Sequence, residues 1–272
     1  MNDEALKGKK KISTIRKTGF VVLFMFLGCL LLLFIALPLF KLVFMSDKTD
    51  LWHTLLDADT INAIWLTVYA ALIATGIGFA LGVPLAYIFA RYEFPGKSAL
   101  EGLIDLPVVV PHSAAGIALL FVFGSNFLVG RSFEAIGVEF VDSLAGIVIA
   151  MLFVSVPILV SSAKESFRAV DIRLEKVART LGATQWQTFA RVAFPLSARS
   201  ILAGSLMMWA RAMSEFGAVV ILAYHPTVAP VLIYERFETY GLRPAVSVAA
   251  IMLIISAFVF IGVQALLRRN EP

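Results

Sequence analysis

Charge is scarce in this chain and cysteine is almost absent. Only 15% of the 272 residues are Asp, Glu, Lys or Arg, while 60% are apolar and the mean hydropathy is +0.88. A water-soluble domain of this length cannot hide so much hydrocarbon, which excludes an ordinary cytosolic protein and leaves an all-α integral membrane protein. The single cysteine, Cys29, lies inside an apolar run, so there is no disulfide framework and no thiolate metal cluster. The three histidines contain no pair at metal-ligand spacing. No G-x-x-x-x-G-K-[ST] run exists to cradle the phosphates of ATP, and no G-x-S-x-G carries a nucleophile. A membrane enzyme needs a constellation of polar groups near one interface, and none is legible.

What the chain has is six apolar runs. A polar, basic tail over residues 1–18 (Lys7, Lys9, Lys10, Lys11, Arg16, Lys17) is followed by a transmembrane region over 19–272. Its spans are expected at about 20–45, 61–90, 107–128, 144–163, 200–223 and 245–267, with one cytoplasmic loop over 164–199. The first run is too long for a signal-peptide core, and no small-x-small cleavage site follows it, so a retained span is expected. Lys41, near its end, reaches for the outer interface. Six spans put both termini on one side of the membrane. The segments on that side carry 17 Lys and Arg against four (Lys48, Arg131, Arg236, Arg243) on the other, so the N- and C-termini are expected in the cytoplasm. The same asymmetry accounts for the net charge of +4, which gives no reason to expect nucleic acid.

The most polar internal stretch is Lys164–Arg199, with seven basic residues and three acids. Asp171 is placed to cap a helix. Leu174, Val177, Ala178 and Leu181 then recur at i, i+3, i+4 and i+7, on one face. Gly182 stands where a left-handed residue ends such a helix. Thr184 and Gln187 have capping-box spacing for a second helix. Trp186, Phe189, Ala190 and Ala193 repeat the apolar period, and Pro195 is expected to stop it. By pattern alone, two hinged amphipathic helices fit either a plain interfacial elbow or a docking surface.

Three other features involve the spans. Ala70, Ala74, Gly78, Gly82, Ala86 and Ala90 recur every four residues in the second span, a face that lets another helix come close. Pro107 and Pro111 flank three valines at the start of the third span, so its entry is expected to be irregular, with His112 and Ser113 directly after. His112 is either an interfacial histidine with an ordinary hydrogen bond or part of a pathway wall. The fifth span holds Arg211 and Glu215, four apart, with Ser214 between. Charges at that depth cost at least about 2.5–3.5 kcal/mol each, so they face protein or water. They form either a structural pair or part of a gate.

The residues VARTLG, nine further residues and VAFP, running from Val177 to Pro195, resemble the EAA loop of ABC importer permeases. Ala178, Gly182 and Pro195 match that pattern in register. Val177 stands where the family has alanine, Lys176 takes the glutamate position, and Glu175 lies one residue early. RYEFPGK, from Arg91, is a frequent companion. ARAMSEFGAVVILA followed by PVLIYERFETYGL is similar to the molybdate/tungstate permeases, with sulfate/thiosulfate permeases as near relatives. The resemblance covers the chain from about residue 60 to its end.

The resemblance implies a type I ABC importer permease in the cell membrane of a prokaryote. It would work as two copies with two ATPase subunits and an extracytoplasmic binding protein. ATP and magnesium would sit on the ATPases, and this chain would bind no cofactor. The loop would be the coupling helix, with Asp171, Leu174, Glu175, Val177, Ala178, Leu181, Gly182 and Pro195 contributing to ATPase coupling. The candidate path or gate residues are Pro111, His112, Ser113, Arg211, Ser214 and Glu215. A secondary transporter is the alternative from another class. It would show internal repeats and paired broken helices, and no repeat is legible here.

Overall fold

A computed structural model describes the backbone of residues 3–269 and most side chains from residue 19 onward; the charges expected on the 1–18 tail and at Arg268 and Arg269 lie outside the described side chains. All regular structure among the described residues is helical. Among the described residues five helices are long and apolar enough to cross a membrane, and a sixth crossing is available if a sharply bent pair is taken as one span.

Helix α1 (Asp3–Met45) forms a unit by itself, ending at Lys48. From Gly19 onward nearly all its side chains are exposed. The second unit begins at Thr49, in the short helix α2 (Lys48–Leu56), and contains everything else.

The core of that unit is three helices: α3 (Ala58–Arg91), α7 (Leu144–Ala169) and α10 (Phe194–Met213). The small-residue face of α3 makes this packing possible. Ala70, Ala74 and Ala86 are fully buried. Gly78 sits so close to α10 that an added Cβ would strike the end of the Met208 side chain. Thr67 returns its hydroxyl to the Ala63 carbonyl at 2.6 Å and accepts the Ala229 amide at 2.8 Å. That ties the start of α12 (Ala229–Tyr240) to the first third of α3.

The third span differs from a simple helix over 107–128. It is a pair, α4 (Lys97–Val109) and α5 (His112–Phe123), bent by 117°. The break falls at Val110–Pro111. Proline has no amide to donate and holds the residue before it extended, and Val110 sits at φ −68°, ψ 132°. Pro107, by contrast, is accommodated inside α4. After Gly124 the chain turns into a separate short helix, α6 (Leu128–Glu134).

The fourth and fifth spans also have different ends from those expected. α7 runs six residues past Ala163 because Lys164 and Arg168 continue the helix, reaching Glu101 of α4 at 3.5 and 3.7 Å. At the other end, α10 stops at Met213, not in the vicinity of Ala223. Ser214 to Ala218 form a turn before the short α11 (Val219–Leu222), and α13 (Leu242–Arg269) supplies the last crossing.

Candidate coupling and pathway sites

The polar loop is built largely as the residue pattern requires. α8 (Ile172–Thr180) starts at Asp171, whose Oδ1 accepts the Arg173 amide at 2.9 Å. It ends at Leu181, and Gly182 follows at φ +91°, a conformation that side-chain-bearing residues resist. The Thr184–Gln187 capping box is complete, opening α9 (Gln185–Thr188). Leu174, Val177 and Leu181 are exposed, Leu181 to 83%, and Ala178 is half-buried. The apolar face of α8 is therefore turned away from the helices that carry it.

Pro195 does not stop the second helix. A five-residue π-turn, Phe189–Ala193, joins α9 to α10, with the Phe194 amide bonded to the Phe189 carbonyl. The wider turn lets the helix pass a residue that can neither donate nor tolerate a carbonyl beneath its ring. Helix therefore runs on from the loop into the fifth span.

Glu175 does not join the exposed face. It is 2% accessible, and both carboxylate oxygens are bonded. Oε1 accepts from Arg91 Nε at 2.7 Å and Oε2 accepts from the Tyr87 hydroxyl at 2.7 Å. Arg91 also donates to the Val170 carbonyl, at the end of α7, at 3.0 Å. Tyr87 and Arg91 were not singled out by the sequence. Arg91 opens the RYEFPGK run, which was a signal of family but not of a contact 84 residues away; Tyr87 carried no signal. Around them Tyr87, Phe167 and Phe189 pack ring on ring, with centroids 5.0–6.0 Å apart.

The second group of residues comes together at the start of α5. Arg211 Nη2 donates to Glu215 Oε2 at 2.9 Å and lies 2.9 Å from His112 Nε2. Its Nη1 donates to the Ser214 hydroxyl at 3.2 Å. Glu215 is almost fully buried, and its Oε1 accepts the Ala218 amide at 2.9 Å. His112 Nδ1 lies 3.4 Å from Glu215 Oε2. The His112 ring therefore lies against both the guanidinium and the carboxylate, and its tautomer sets which nitrogen donates. Pro111 is the cap residue at the break, and the Ser113 amide packs beside Gly217 in the turn after α10. Arg211, Ser214 and His112 keep exposed surface, while Glu215 does not. Arg211 and Glu215 pair across the end of a helix, not along one face as their spacing suggested.

A bundle around a small-residue helix, a broken span beside a charged cluster, and a short amphipathic helix held below them together define a membrane permease. The chain belongs to the family described as binding-protein-dependent transport system inner membrane component, whose model matches residues 78–271. A protein named molybdate/tungstate transport system permease protein WtpB, from Thermococcus kodakarensis, is 42% identical over 259 residues, 94% of this chain and 99% of that one. The protein of the same name from Pyrococcus furiosus is 44% identical over 248 residues, 90% of this chain and 94% of that one. A probable sulfate transport system permease from Chlorokybus atmophyticus is 35% identical, over 82% of this chain and 79% of its own length. Among solved structures, a bacterial ABC transporter involved in the import of alginate shares the fold. Its TM-score is 0.72 and its identity 17%, covering 96% of this chain and 100% of that one.

Proposed function

We propose that this chain forms, as two copies, the translocation path of an ATP-driven importer of molybdate or tungstate. The observation that carries the cargo is the end-to-end likeness to permeases named for those two anions. The exposed apolar face of α8 supports the partner. A helix that turns Leu174, Val177 and Leu181 outward, within a segment rich in Lys and Arg, is suited to a groove in a separate ATPase subunit. ATP and magnesium act there, not on this chain. Both termini lie in the cytoplasm of a prokaryotic cell, and an extracytoplasmic binding protein delivers the anion to the other side.

In this reading ATP binding closes the two ATPases and carries both copies of α8 together. The spans rock, and the path opens outward. Hydrolysis resets the inward-open state. His112, Arg211 and Ser214 form part of the path wall, with Glu215 balancing the guanidinium. Such a wall draws a dianion in weakly and lets it go.

The test is assembly. In a Cys29→Ser background, single cysteines along α10 should cross-link two copies in the complex with the ATPase. The purified permease alone should hydrolyse no ATP. A complex containing one permease copy would end the proposal.

A further inference from the structure

We infer that Glu175, held by Arg91 and Tyr87, is the joint that passes movement of α8 into α3 and α7. This rests on the reading of α8 as the ATPase-coupling helix. The argument begins with how little else holds α8. Among its nine residues Glu175 alone is buried. At one end the chain leaves α7 through the extended residues Val170 and Asp171, and at the other it turns at Gly182 with φ +91°. Both ends are pivots. A short helix on two pivots transmits a push only through whatever grips it between them.

The grip is a carboxylate with two partners on one neighbouring helix. Arg91 is the last residue of α3, and Tyr87 lies one turn earlier. Arg91 then spends a second donor on Val170, the cap residue of α7, so three elements meet at one guanidinium. Charge-assisted bonds of 2.7 Å to a buried carboxylate are short and directional. An apolar contact at the same place would let α8 slide, whereas a fork of bonds resists both sliding and rotation. The ring packing of Tyr87 on Phe167 and Phe189 stiffens the receiving side. Glu175 is thus a positioning residue of the transport cycle. It faces the bundle while the apolar residues on either side of it face outward.

The experiment uses the full complex of permease, ATPase and binding protein in vesicles, with anion uptake and ATP hydrolysis measured together. Glu175→Gln and Glu175→Ala should still co-purify with the ATPase, while anion taken up per ATP hydrolysed falls about tenfold. The exchange Arg91→Glu with Glu175→Arg should recover about half of the lost ratio, as expected if the two residues act as a pair. An unchanged ratio in both single variants overturns the joint and leaves the coupling role of α8 standing. Loss of ATPase binding that the exchange does not repair also overturns it, because Glu175 would then be holding the fold or the partner directly. If the unmodified complex shows no ATP-driven uptake, the coupling reading itself fails, and the joint fails with it.

Discussion

Arg211 and Glu215 face each other at 2.9 Å across the end of α10, with the carboxylate buried and the guanidinium partly open. Glu215 also receives the Ala218 amide, so one side chain balances a charge and starts the next turn. Glu215→Ala leaves the Ala218 amide without its acceptor and the Arg211 guanidinium without its counter-charge. We expect it to cost about 2–4 kcal/mol and to lower the melting temperature in detergent. Arg211→Ala should keep normal assembly while altering uptake. Loss of assembly in Arg211→Ala would make the pair structural only.

Gly182 sits at φ +91°, and Ala178 is the one half-buried residue on the exposed side of α8. Gly182→Val forces a β-branched residue into a left-handed backbone, at a cost of about 1–3 kcal/mol. Ala178→Trp adds bulk where α8 would seat. Both variants should insert in the membrane and both should lose transport, measured as ATP-driven uptake. Normal transport in both would reduce the loop to a connector.

The parts of this molecule written in local pattern were legible, and those that depend on distant partners were not. Asp171, Gly182 and the Thr184–Gln187 box each act within four residues, so spacing was enough to place them. The small-residue face of α3 was legible because a period of four needs only one helix. Glu175 was grouped with coupling residues, but its burial depends on Arg91 and Tyr87, at separations of 84 and 88 residues that no period reveals. Pro195 was read as a stop because a single proline signals one. The π-turn that carries the helix past it depends on the aromatic packing of Phe189 and Phe194 against the core. The twin prolines marked an irregular entry, but a bend of 117° depends on what α4 and α5 each pack against.

Gly78 tests the close approach of α3 and α10. An added Cβ meets the flexible end of Met208 and, at 3.3 Å, a methyl of Leu152, both side-chain ends that can give, so Gly78→Ala should be tolerated within about 1 kcal/mol. Gly78→Leu has nowhere to go and should cost about 3 kcal/mol or more. Thermal melting of the two purified variants checks the order, and equal melting temperatures would contradict the packing.

Asp57 caps α3 just outside the span. The Thr60 hydroxyl bonded to its carboxylate, with Arg236 of α12 beside it, holds its pKa below the usual value. A depressed folded value means the stabilisation is present above the unfolded pKa of about 4 and is lost as pH falls through the folded value. Melting temperature should therefore drop below about pH 4 in the unmodified protein. Asp57→Asn should start lower at neutral pH and lose less on acidification.

The most direct measurement is uptake of labelled molybdate into vesicles that hold this chain, its ATPase and its binding protein. The account predicts ATP-dependent uptake, strong competition by tungstate and little by sulfate. Competition by sulfate alone would move the cargo to that anion. Transport of a sugar, an amino acid or a metal cation, with no effect of any oxyanion, would contradict the account.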